Sequence, residues 1–376
     1  MSQQFRRVSI IGTGSFLPND PIPNDRIDAI LGPLNGAPAR VQAFIKNIGS
    51  RMLANSGVKY RHFAIDPETR KLTHTVATLA EEAGRRALEH ARKKPSDVEL
   101  LLLSSPNYDQ TTPPTSTILQ ERLGIEHCAE MEIHSNCAGV GKCAQIAFDA
   151  LRTGRYKTAL VTYANLSSVY LRSCYFNQAR MNKNQAALRY ILADGSGAML
   201  LEATDAVEDG PVPHELLGTY VESVGANNPP GMTAGGGVTD LAEVHNQIPQ
   251  VFEQGMHHLD QDFSAVNRDA GRLLFEGIVR MADSLGIPPK DVDSIIVSVP
   301  TRQLYDDHVG RFMDHFGIGE EQARFRSSAT GYCGGASLLL HFDETVRSGE
   351  IQPGQTALVH SVESSKWMTA GFAVRW

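Results

Sequence analysis

The chain is poor in cysteine. It has five, at Cys128, Cys137, Cys143, Cys174 and Cys333, an odd number with no Cys-x-x-Cys pair. That argues against a disulfide framework or a structural zinc site and predicts a reducing, cytoplasmic setting. It also lacks any basic block, and its net charge is −7, which disfavours nucleic acid as a partner. No apolar run approaches the roughly 20 residues of a membrane span, and the first seven residues are polar, without a signal-peptide core. With 376 residues, 41% hydrophobic and 20% charged, the composition is that of an ordinary globular protein long enough for two or three domain-sized units.

Element patterns alternate along the chain. Arg7 to Pro18 reads as a buried strand ending in a glycine turn at Gly12-Thr13-Gly14. A third glycine is missing and Pro18, Pro21 and Pro23 follow, so no helix opens there and a dinucleotide site is not expected. Residues 24–57 read as a helix, a loop and a second helix, broken by Gly32, Pro33, Gly36 and Pro38. Thr75 to Arg92 is an amphipathic helix, with Val76, Leu79, Ala80, Ala83, Ala87 and Leu88 on one side. Glu99 to Ser105 is uniformly apolar after its first residue, the mark of a strand covered on both faces. Further strands are expected at 158–163 and 193–201. The Gly-, Pro- and Asn-rich stretch 205–250 reads as irregular edge strands and loops.

The most informative stretch is Glu132-Ile133-His134-Ser135-Asn136-Cys137-Ala138-Gly139-Val140-Gly141. Beyond Cys137, Cys143, Ile146, Ala147, Ala150 and Leu151 recur at helical steps, which places the cysteine where a strand passes into the first turn of a buried helix. The positive end of a helix dipole and its free N–H groups favour a thiolate. Ala138, Gly139 and Gly141 would let a thioester or another backbone approach. The same pattern also fits an inert core cysteine.

The second half echoes the first. Pro95-Ser96-Asp97-Val98 and its apolar strand match Pro289-Lys290-Asp291-Val292 and its strand at an offset of 194, and Asn136-Cys137-Ala138-Gly139 matches Tyr332-Cys333-Gly334-Gly335 at 196. Leu151-Arg152-Thr153-Gly154 and Thr158-Ala159-Leu160-Val161 recur as Val346-Arg347-Ser348-Gly349 and Thr356-Ala357-Leu358-Val359. An ordered series of matches means a duplicated α/β unit. Two halves are read, 1–204 and 205–376, with Cys137, Ser298 and the Tyr332-Cys333 turn expected to converge where they meet.

Over nearly its whole length the chain resembles ketoacyl-acyl-carrier-protein synthase III and its relatives in the thiolase superfamily. The opening strand Ile10–Pro18, the segment Ser56-Gly57-Val58-Lys59-Tyr60-Arg61-His62, the cysteine motif, Asp194-Gly195-Ser196-Gly197-Ala198 and Arg347–Gly354 are each similar to a motif of that family, in order. The resemblance implies an α/β thiolase-like fold: two duplicated α/β halves in a five-layer α-β-α-β-α sandwich. It implies Cys137 as nucleophile, acyl-coenzyme A or a phosphopantetheinyl carrier protein as substrate, and no tightly bound cofactor or metal. It also implies a homodimer whose edge is the strand Thr158 to Tyr163. Two family residues are replaced. The histidine of the late strand falls on Ser298, or on Thr301 in a looser register, and the asparagine falls on Tyr332. The glycine-rich oxyanion loop corresponds to Glu363-Ser364-Ser365-Lys366, where the N–H of Ser365 could serve beside that of Cys137.

Ser298 and Tyr332 can each donate one hydrogen bond, but neither titrates near neutrality. The expected function is therefore acyl loading onto Cys137 and transfer to a small-molecule acceptor, an alcohol, amine or activated carbon in specialised metabolism, without the usual decarboxylative elongation. Two alternatives are a decarboxylating Claisen enzyme with a reassigned donor pair, and the degenerate subunit of a heteromer. His134 is a candidate base, or alternatively a hydrogen-bonded core histidine. His360, on the last repeat strand, is a weaker candidate, and His308 reads as surface. Cys333 is expected to line the pocket rather than to attack, and Cys128, Cys143 and Cys174 to pack. Residues 31–56 and 173–185 are expected to shape the pockets.

Overall fold

The computed structural model describes residues 5–204, 212–238 and 247–376. Nine strands form one sheet: β1 (Arg7–Phe16), β2 (Leu100–Ser105), β3 (Ala129–His134), β4 (Thr158–Asn165), β5 (Gly195–Thr204), β6 (Glu215–Ser223), β7 (Ser294–Val297), β8 (Thr356–Glu363) and β9 (Met368–Arg375). Six helices cover or divide it: α1 (Val76–Ala91), α2 (Thr115–Leu123), α3 (Gly139–Arg152), α4 (Phe263–Ser284), α5 (Arg302–Phe316) and α6 (Ala336–Arg347). The strand order is β7-β8-β9-β6-β1-β5-β4-β2-β3. The two lobes of this sheet join between β1 and β6, at the single register pair Ser9 and Glu215.

Each lobe carries the repeated unit. A Pro-x-Asp turn (Pro95–Asp97, Pro289–Asp291) enters a buried strand, β2 or β7, which lies parallel to β4 or β8. Helices α3 and α6 lie between the lobes. α3 touches β4 and β2 on one side and β6 and β9 on the other, and α6 touches β5 and β1 as well as β7 and β8. The outer layers are α1 and α2 on one lobe and α4 and α5 on the other. This gives the five layers. The central core joins Val140, Cys143, Ala147 and Leu151 of α3 to Leu338, Leu339 and Phe342 of α6 and to apolar residues of both lobes. Burying an aliphatic side chain contributes about 1.5–3 kcal/mol, so this layer binds the halves together.

Some local expectations are met and others corrected. Thr75 caps α1 by accepting from the Thr78 N–H, and Arg92 ends it in a left-handed conformation (φ 55°). β1 runs straight through Gly12 and Gly14 without turning, because α1 crosses so closely that a Cβ on either would lie within 2.4 Å of an α1 carbonyl oxygen. The stretch read as irregular contains a nine-residue strand, β6, in the middle of the sheet. The join read at 204/205 borders residues 205–211, which lie outside the described residues.

The dimer-edge reading is overturned. Thr158 to Tyr163 belongs to β4, which is buried along its whole length and paired on both sides, with β2 and β5. The open edge of that lobe is β3, where Met131 is 39% exposed. No helix among the described residues is long and apolar enough to cross a membrane.

Candidate active site

Cys137 follows β3 and stands two residues before α3, as the change of period predicts. Tyr163 of β4 donates from its hydroxyl to the carbonyls of Asn136 (2.9 Å) and Ser135 (3.2 Å), tethering the turn. Ser361 of β8 donates to the Cys137 carbonyl at 2.7 Å. The small residues serve helix packing: a Cβ on Gly139 would lie 2.1 Å from Ser104 Oγ and 2.8 Å from the Tyr163 ring, which lets α3 start directly against β2 and β4.

The half-buried Cys137 Sγ lies 2.9 Å from Tyr332 Oη, and both line a cavity of about 810 Å³, a size suited to a small organic ligand. Ser298 lines it as well, buried, with its hydroxyl donated to the Gly334 carbonyl at 3.1 Å. The expected convergence of Cys137, Ser298 and Tyr332 is therefore present. Thr301 is in the wall too, but its Oγ1 accepts from the Leu304 N–H at 3.2 Å and caps α5. Ser365 is in the wall, and its N–H has no acceptor among the described residues, while the Cys137 N–H is turned toward its own sulfur.

Burial pushes the Cys137 thiol up from 9.0 to about 12; the Tyr332 hydrogen bond opposes that rise and the nearby Glu363 charge adds to it. Such a rise corresponds to roughly 4 kcal/mol against the thiolate, whereas a helix N-terminus contributes about 0.3–1 kcal/mol. Burial thus favours the thiol and outweighs the dipole. Burial raises the Tyr332 phenol well above its ordinary range.

The other candidates separate clearly. Cys333 is fully buried outside the cavity wall and donates to the Asp194 carbonyl at 3.2 Å, so it does not line the pocket. His134 is exposed at the end of β3 and contributes to the cavity wall, with no side-chain hydrogen bond among the described residues, so it is not a bonded core histidine. His360 is fully buried between Gly277 and Gly371, away from the cavity, and burial lowers it to about 3. His308 is half-buried against Gly271 rather than on the surface. Cys174 is exposed, not packed. Among the described residues, none of 31–56 lines the cavity, and Tyr175 is the one contributor from 173–185.

A residue with no expected role stands at the centre. Glu363, at the end of β8, accepts from Ser135 Oγ at 2.7 Å, from the Ala138 N–H at 3.1 Å and from the Ser365 hydroxyl. Lys142 of α3 donates to Ser135 Oγ at 2.8 Å. The only sequence signal was an acidic residue in a run otherwise aligned with a glycine-rich loop.

No family model matches the chain. A beta-ketoacyl-[acyl-carrier-protein] synthase III of Neisseria gonorrhoeae is 25% identical to it over 362 residues, 96% of each chain. Another protein of that name, from Methylococcus capsulatus, is 25% identical over 357 residues, 94% of each. Among solved structures, AbyA1, described as a tetronic acid condensing enzyme, superposes with a TM-score of 0.76 at 23% identity, covering 98% of this chain and 100% of that one. The layers and the superposition thus show a thiolase-like fold. Within that fold, the chain is similar over nearly its full length to proteins named beta-ketoacyl-[acyl-carrier-protein] synthase III.

Proposed function

We propose that the chain is an acyltransferase that loads an acyl group from a coenzyme A or carrier-protein thioester onto Cys137 and passes it to a small alcohol, amine or activated carbon without decarboxylation. The observation that carries this reading is the Cys137 Sγ to Tyr332 Oη contact of 2.9 Å in a wall where His134, at the end of β3, is the one histidine among the described residues.

A phenol both accepts and donates. As Cys137 attacks the thioester carbonyl, its proton passes to Tyr332 Oη while the phenol's own proton moves to the departing thiolate sulfur. The C–S bond to the donor breaks as the bond to Cys137 forms, and Tyr332 ends neutral. The N–H groups of Cys137 and Ser365 are the candidate donors to the developing oxyanion. Decarboxylation would need two donors aimed at an enolate. Here Ser298 Oγ lies 3.1 Å from the Gly334 carbonyl and also meets Tyr332, whose hydroxyl faces the sulfur.

Intact mass after incubation with a panel of acyl thioesters tests the reading. One acyl mass, absent in Cys137→Ala, is expected. Carbon dioxide released from malonyl-coenzyme A would overturn the non-decarboxylating part. A homodimer paired along the open strand β3 belongs to the same proposal, and a monomeric solution mass would sink it.

A further inference from the structure

We infer that Glu363 is the general base of the second half-reaction, taking the acceptor's proton as the acyl group leaves Cys137. The inference rests on the acyl-transfer reading above. Among the described residues Glu363 is the one carboxylate in the cavity wall. It is only 5% exposed. Burying a charge is costly unless it is paired and hydrogen-bonded. Here Ser135 Oγ and the Ala138 N–H hold Oε2, the Ser365 hydroxyl donates to Oε1, and Lys142 is held one hydroxyl away through Ser135. A carboxylate oxygen accepts two hydrogen bonds, so Oε1 retains capacity for an incoming proton.

The charge also works against the nucleophile, since it adds to the upward push on the Cys137 thiol. It would therefore hinder a site that needed only acylation. Of the remaining groups, Ser298 and Tyr332 ionise far above neutrality, and His134, in the same wall, is exposed and has no side-chain hydrogen bond among the described residues to orient it, whereas Glu363 is buried and held by three donors. The titratable groups around Glu363 are Cys137, Tyr163 and Lys142; Lys366, on the same hairpin, donates its ammonium to the Asn228 carbonyl at 2.7 Å.

In the step itself, the acceptor heteroatom X bonds to the acyl carbon and its proton passes to Glu363. The tetrahedral intermediate collapses, the carbon–sulfur bond breaks with its electron pair on Cys137, and the proton on Glu363 then restores the thiol. Atoms and charge balance with no further reactant.

The test loads the whole protein with acetyl- or octanoyl-coenzyme A, then follows release of the acyl group to water and to added n-butanol or n-butylamine. Glu363→Gln should acylate at least as fast as the wild type yet release the acyl group about 10²–10⁴-fold more slowly. Its Cys137 should also react faster with iodoacetamide near neutral pH, because a neighbouring negative charge is gone. Faster labelling with slower release is a pairing that a merely structural glutamate would not give. Release at the wild-type rate, or joint loss of acylation and labelling in a folded variant, would overturn the inference. Should that variant misfold, Ser135→Ala, which keeps the carboxylate and cuts its link to Lys142, is expected to acylate normally and release slowly; normal release would overturn the inference. A wild-type protein that takes no acyl group from any donor would instead bring down the acyl-transfer reading itself.

Discussion

Asn136-Cys137-Ala138-Gly139 and Tyr332-Cys333-Gly334-Gly335 enter the two central helices in the same way. Each cysteine precedes a helix N-terminus, and the glycine that follows lies against the ring of one shared residue: a Cβ on Gly139 or Gly335 would come within 2.8 Å or 2.6 Å of the Tyr163 ring. Their environments differ. Cys137 opens onto the cavity and meets a phenol, whereas Cys333 is fully buried and spends its hydrogen on a backbone carbonyl. The helix dipole is common to both turns and so cannot be what distinguishes them. The distinction lies in the preceding residue: Tyr332 projects from the second turn to the cysteine of the first, while Asn136 gives its carbonyl to Tyr163. Duplication supplied two frames, and one became the partner of the other.

The largest expected effect breaks that pairing outright. Cys137→Ala should lose the acyl adduct entirely and Cys333→Ala should keep it, as read by intact mass; an adduct that moved with Cys333 would reverse the assignment. Next comes Tyr332→Phe, which keeps the ring and removes the hydroxyl. By analogy with the loss of one transition-state donor, the acylation rate should fall about 10²–10³-fold in single-turnover measurements, and an unchanged rate would exclude the phenol from proton transfer. Smaller again is a contrast in pH dependence. A thiol held up at about 12 should label with iodoacetamide at a rate that climbs about tenfold per pH unit through the alkaline range. An ordinary cysteine would level off above about 8.5, and such a plateau at Cys137 would show that the site does not hold the thiol up. Cys333 should remain unlabelled in the folded protein.

The layers, the repeat and the place of Cys137 ahead of a buried helix were legible because their signals are local: a change of period at Cys137, an apolar run at Leu100–Leu103, matching Pro-x-Asp turns. Glu363 was not, since its donors Ser135 and Ala138 lie more than 220 residues away in the chain and meet it only after the two halves pack. The dimer edge was read from family likeness against a signal already in the sequence. Thr158–Tyr163 is apolar on both faces, as a central strand should be, whereas Ala129–His134 carries Glu130 and Glu132, as edge strands often carry charge. β6 was missed because its Gly- and Pro-rich flanks masked it, and one face of Glu215–Ser223 is only half covered. Cys333 was drawn toward the pocket by its neighbour Tyr332; a turn reverses side-chain direction from one residue to the next.

The smallest effect probes the shared tyrosine. Gly335→Ala leaves the backbone conformation acceptable, with φ −62° and ψ −28°, but sets a methyl group 2.6 Å from the Tyr163 ring and 3.1 Å from the Asn136 carbonyl. Overpacking of this kind costs about 1–3 kcal/mol, which thermal unfolding would register. Gly139→Ala should cost a similar amount, since its methyl group meets Ser104 Oγ and the same ring. Stability alone would not separate the two halves, but acylation should. Displacing Tyr163 loosens the two hydrogen bonds that hold the Cys137 turn, so both variants should acylate more slowly than Cys333→Ala, although Gly335 is the neighbour of Cys333 in the chain. A Gly335→Ala protein that lost stability yet acylated at the wild-type rate would mean that Tyr163 supports the fold without positioning the nucleophile, and that the two turns are coupled only through the phenol of Tyr332.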